Sequence, residues 1–299
     1  MSDSDDERTV SRRRLLRASA GTAALSAVGS ARADDGDARD GLARRFGRDC
    51  PDATIEPGMA HCEGASAEGC ADDHPTTIDL QSAVSDALEN RFPDVDALLE
   101  AGYKPYFDTL ETGDDSWSHW LSPDFIGDGD LLNPERPESV LVDNETWRSI
   151  GVMFVATREG ESVDPPPAVY GDGDAAADRC SPWHAHTGLP GRFAWWFYRQ
   201  SYGGAAADGD LEFPCRTPCM LHVWTVDHPE SVYAHDAPPR EYRDVEPADE
   251  PSFATDAVPG EDDLGWEALP DDVVPDDLPA DLVPFDPSGF DPFGVDLGL

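Results

Sequence analysis

The chain has 299 residues, with 62 Asp and Glu against 21 Lys and Arg, a formal charge of -41 at pH 7. Phosphate binding needs clustered Lys and Arg, so nucleic acid and anionic membrane surfaces are excluded as partners. Lys104 is the single lysine, and so large a charge repels itself in dilute buffer but is screened in molar salt, where the Debye length falls to about 3 Å.

Near its start the sequence reads Ser11-Arg12-Arg13-Arg14-Leu15-Leu16-Arg17, then a mild apolar run from Ala18 to Val28, then Ala31-Arg32-Ala33. A charged stretch, a short apolar stretch and a small-residue cleavage site in that order predict a removable export signal over residues 1–33. Paired arginines ahead of two leucines resemble the twin-arginine type, so the twin-arginine export machinery is the expected partner. Asp34, not cysteine, stands directly after the cleavage site, so no lipid anchor is expected. No later run reaches the roughly 20 apolar residues of a membrane span.

Residues 34–76 are rich in Gly, Asp and Cys with little periodicity and read as a loop region. Cys50, Cys62 and Cys70 lie in the N-terminal half, and Cys180, Cys215 and Cys219 in the C-terminal half. In a chain bound for an oxidising exterior, disulfides are expected ahead of free or metal-bound thiols. If all six pair, an odd number of bridges must join the halves.

Between Ile78 and Leu88 apolar residues recur at spacings of three and four, which predicts an amphipathic helix. Pro93 ends it, and Asp94 caps a second short helix through Leu99 that stops at Gly102. Glu138 to Val142 and Ser149 to Val155 then form a predicted hairpin. Arg192 to Phe197 and Met220 to Val226 are further predicted strands, rich in aromatic and branched side chains. Residues 77–237 thus read as one α+β domain, a mainly antiparallel sheet of sandwich or barrel-like form preceded by two short helices. Residues 238–299 are rich in Asp, Pro and Glu and predict a disordered tail, with Phe285, Phe290 and Phe293 as docking points.

Four histidines fall in or beside the predicted sheet: His119, His184, His186 and His222. Side chains two apart on a strand point the same way, so His184 and His186 can offer two imidazoles to one ion. His222 on a neighbouring strand and His119 complete the set, and Glu138 is a further ligand or base. Copper and zinc suit imidazole donors, and Met220, on the face of His222, would favour copper. His61, His74, His228 and His235 sit in polar or Pro-flanked sequence and read as surface histidines.

Other motifs fit incompletely. The His-x-His pair resembles that of a cupin, but no glutamate follows at the short spacing. Cys219-Met220-Leu221-His222 has the spacing of a blue-copper site without a following axial methionine. Asp124 to Glu135 matches several positions of a calcium loop, yet Ile126 takes a ligand place. There is no Gly-x-Ser-x-Gly and no phosphate-cradling glycine loop, so no nucleotide cofactor is expected. A metal-free extracellular ligand-binding or surface-interaction module is the alternative, with Trp117, Trp120, Trp183, Trp195, Trp196 and Trp224 building a core or a groove.

Ala101-Gly102-Tyr103, His119, Leu131 to Val142 and Leu221-His222-Val223-Trp224 together resemble an exported prokaryotic family of unknown function. The similarity covers roughly residues 87–235 and departs from the pattern at Asn133 and Asp143. The acidic composition resembles that of halophile proteins. The family resemblance implies one extracytoplasmic domain in which His119, Glu138 and His222 converge, and it implies no activity.

Overall fold

The computed structural model describes residues 50–106, 110, 116–173, 175–202 and 213–275. The export signal, the first part of the cysteine loop and the three phenylalanines lie outside them. Helix α1 (Pro75–Arg91) begins at Pro75, whose fixed φ suits the first turn, and His74 Nδ1 caps it by accepting from Thr76 N at 3.2 Å. Its buried face is Thr77, Val84, Ala87 and Leu88. Helix α2 (Val95–Glu100) starts as the sequence predicts, with the Asp94 side chain accepting from Ala97 N. Gly102 then takes φ +84°, the left-handed exit that glycine allows at no steric cost.

Among the described residues nine strands occur in chain order: β1 (Met59–His61), β2 (Lys104–Pro105), β3 (Trp117–Leu121), β4 (Ser139–Asp143), β5 (Ser149–Val155), β6 (Thr157–Arg158), β7 (Glu161–Ser162), β8 (His184–His186) and β9 (Met220–Trp224). Seven form one antiparallel sheet in the order β1-β8-β9-β5-β4-β3-β2, while β6 and β7 form a separate hairpin. The protein is α+β and mainly antiparallel; its sheet is open, since the order ends in two different strands.

Alternation along the strands sends two sets of side chains to two cores. Val140, Val142, Val152, Phe154, Leu221 and Val223 pack with Val84 and Leu88 of α1. Leu121, Leu141, Met153, Val155, Met220 and Trp224 pack on the other face with Ala194, Trp195 and Tyr198. Those last three belong to α3 (Leu189–Ser201), a helix where the sequence reading placed a strand. The aromatic run suggested a pleated surface, but Gly191, Ala194, Trp195 and Tyr198 are buried at helical spacing, and Pro190 opens the first turn.

β4 and β5 lie between β3 and β9, about 14 Å at about 4.8 Å per strand, and long side chains bridge that distance, the rings of Trp117 and Trp224 lying 5.4 Å apart. Gly151 sits between these strands, opposite Leu141 and Trp224. A Cβ there would come within 2.8 Å of the Val223 carbonyl oxygen and 3.1 Å of the Trp224 ring, so a side chain would hold the strands apart. The register break between Leu141 and Val142 adds local twist.

Three disulfides, Cys50–Cys215, Cys62–Cys219 and Cys70–Cys180, use all six cysteines, and each joins an early segment to a late one. All span more than a hundred residues, a loop size for which chain entropy gives about 4–5 kcal/mol per bridge. They bracket β8: Cys62 follows β1, Cys180 precedes β8, and Cys219 precedes β9.

Beyond Pro238 the sequence predicts disorder, but residues 239–275 are packed on the domain. Leu264, Ala268, Leu269 and Val273 are buried in the α1-side core. Ala248, Gly260 and Leu264 donate backbone N–H groups to the carbonyls of Thr146, Glu145 and Asn144 in the β4–β5 turn. Arg243 forms an ion pair at 3.1 Å with Asp143, and both side chains are 2% exposed. Average polarity hid these few apolar anchors.

Candidate metal centre

The α3 side of the sheet carries the histidines. His184 and His186 flank buried Ala185 on β8 and so share a side, and His222 follows from β9, where Met220 pairs with His184. Thr217 fixes the strand by accepting His186 N–H on its hydroxyl at 2.9 Å and donating its own N–H to His186 O at 3.0 Å. The His186 ring rests directly on α3. A Cβ at Gly191 would lie 2.5 Å from His186 Cβ, so that close approach requires glycine.

A fifth imidazole, His235, joins them from the loop after β9. That loop is pinned by Trp224 Nε1, which donates to Ala234 O at 2.8 Å, and by Asp72, which accepts from Ser231 and Val232. His184, His186 and His235 each present a ring nitrogen within 4.8 Å of the others. Among the described residues this is the one group of three His, Cys, Asp or Glu side chains that closes so tightly. Neighbouring donors on a tetrahedral ion stand about 3.3 Å apart, a gap that small side-chain rotations cover.

The remaining two rings continue the row. His222 lies 5.4 Å from His184 and 5.5 Å from His235 between ring centroids, and His119 lies 5.5 Å from His222. The four histidines expected from the sequence are therefore gathered on one surface, with His235 added. His235 gave no signal in sequence, being a lone histidine in a polar loop, brought in by the turn that follows β9.

Hydrogen bonds set the tautomers. His222 Nδ1 donates to the His235 carbonyl at 2.7 Å, which leaves its Nε2 lone pair facing the cluster. His235 Nδ1 donates to Asp236 at 2.8 Å, the carboxylate–imidazole arrangement that orients a metal ligand. The Nε2 of His184 is sealed from solvent and has no hydrogen-bond partner, an arrangement that costs free energy unless something binds it. Burial, and then neighbouring imidazoles, hold the pKa of His119 and His184 well below the usual value. The same causes, with His235 the principal neighbour, lower His186 and His222 to about 3. Burial thus favours the neutral form of these four rings, the form that ligates metal.

Glu138 is not among them. It shares the parity of Val140 and leans to the α1 side, where Oε2 accepts from Val155 N at 3.2 Å. Burial first, with Asp128 and Asp130 adding to it, raises its pKa to about 8. The expected convergence of Glu138 with His119 and His222 fails because the residue falls on the other face of the pleat. Cys219 is bound to Cys62, which removes a blue-copper thiolate. In the calcium-like segment, Asp128 and Glu135 are paired with Arg136 and Arg91. Trp120, Trp183 and Trp224 are fully buried and build core, not a groove. His74 stacks on Tyr170, and His228 accepts turn N–H groups from Glu230 and Ser231, so both serve local structure.

No protein-family model, no curated protein and no solved structure matches this chain.

Proposed function

We propose that this is an exported, salt-adapted protein that binds a transition metal ion, copper or zinc, through His184, His186 and His235. The observation that carries the reading is the closure of three ring nitrogens to within 4.8 Å of one another beside the orphaned Nε2 of His184. Three imidazoles leave a fourth coordination position, the arrangement that a catalytic or carrier ion needs. Asp236 behind His235 orients the ring by accepting from its Nδ1. No carboxylate enters the cluster itself, so the donor set is neutral and favours borderline or soft ions over calcium or magnesium.

The export part of the reading rests on the Arg13-Arg14-Leu15-Leu16 signal and agrees with three disulfides, which persist in oxidising compartments. No helix among the described residues is long and apolar enough to cross a membrane. The resemblance to an exported family of unknown function belongs to the same proposal.

Elemental analysis of protein purified in high salt, before and after supplementation with copper or zinc, tests the metal. One equivalent is expected, lost in the His184→Ala, His186→Ala double variant. Less than roughly 0.1 equivalents after supplementation would sink the reading. Replacing Arg13 and Arg14 by lysine should leave the precursor inside the cell; unaltered export would remove the twin-arginine assignment.

A further inference from the structure

We propose that His119 and His222 form a second metal position beside the triad, one that takes monovalent copper, with the thioether of Met153 as its third donor. It rests on the reading of this face as a metal centre.

The pair is geometrically separate from the triad. The Nε2 atoms of His119 and His222 stand 3.4 Å apart, while neither residue enters the group of three donors that closes at His184, His186 and His235. With metal–nitrogen bonds of about 2.0 Å, that separation corresponds to an angle of about 116° at the ion. Such an angle suits three or four donors and is too bent for two alone. His222 can offer only Nε2, because its Nδ1 is spent on the His235 carbonyl at 2.7 Å.

A third donor is in register. Met153 lies directly opposite His222 on the adjacent strand, shares its face and is 2% exposed. Directly opposed residues have Cβ atoms about 5 Å apart, within reach of a flexible thioether. The surroundings select the charge of the ion. His119 and His222 are buried between the rings of Trp117 and Trp224, at centroid distances of 4.6 to 6.0 Å. Desolvation cost grows as the square of charge, so a site of neutral donors in apolar walls takes a single positive charge more readily than two. Soft sulfur with imidazole points to copper(I).

The test uses the full disulfide-bonded chain, loaded anaerobically with copper(I) as its acetonitrile complex so that no thiol reductant is needed. Bound metal is counted after chelator competition, and Trp fluorescence and X-ray absorption are recorded. Two equivalents are expected in the native protein, with a copper–sulfur contribution that disappears in Met153→Leu, a volume-conserving change. His119→Ala and His119→Gln should each lose one equivalent, with near-UV circular dichroism and the unfolding midpoint reporting which variant keeps its fold. One equivalent that survives both His119 variants but is lost in His184→Ala would overturn the second position and leave the triad intact. One equivalent lost in the His119 variants but unaffected by His186→Ala would overturn the triad instead. No bound copper in any of them would overturn both.

Discussion

Gly191 sets the position of His186, because a Cβ at residue 191 would meet the Cβ and Cγ of His186 at 2.5 and 2.8 Å. Gly191→Ala therefore opposes two effects: helix propensity favours alanine by about 1 kcal/mol, while the imidazole must swing away from its partners. The variant should stay folded, yet bind zinc or copper at the triad about tenfold or more weakly by calorimetry. A second outcome follows from the buried imidazoles. In the unfolded chain they protonate near pH 6.5, whereas His186 and His222 resist protonation until about pH 3 in the fold. The unfolded state thus binds more protons between those values, so stability of the metal-free protein falls as pH drops through that window. Urea midpoints at pH 7.5, 5.5 and 4.5 check it, and His222→Gln should flatten the slope. Four of the five clustered rings were legible from the sequence, because a two-residue period on strands declares a shared face. His235 was not, because a loop residue's direction depends on the turn that carries it, and Glu138 was misjudged because its parity belongs to the opposite face.

At the level of elements, the segment after Pro238 behaves as a clasp on the β4–β5 turn. Arg243 reaches the buried carboxylate of Asp143, which also accepts from Thr146 N and Oγ1. Removing one member of a buried pair leaves the other charge uncompensated, so Arg243→Ala should cost about 3–5 kcal/mol in chemical unfolding. An unchanged midpoint would show that the clasp adds nothing. The hairpin and the first two helices were legible because turn residues and caps act locally. The third helix was not, since its aromatic content favours strands while the burial period that decides the matter extends from Gly191 to Tyr198, past the end of the segment read as a strand.

For the whole molecule, the charge of -41 makes salt the dominant external variable. Raising sodium chloride from 0.1 M to molar concentrations should increase the thermal midpoint steadily, as screening shortens from about 10 Å to about 3 Å. A midpoint independent of salt would mean that the acidity does not strain the fold. The register break between Leu141 and Val142 was not legible either, since pattern reading treats a single irregular residue as noise.

The bridge pattern has a practical outcome for this chain in the presence of proteases. Every covalent link joins residues up to Cys70 with residues from Cys180 onward. A single clip anywhere between those two points yields pieces that remain triply tethered. Clipped material should run as one species on a denaturing gel without reductant and separate into two bands once thiol is added.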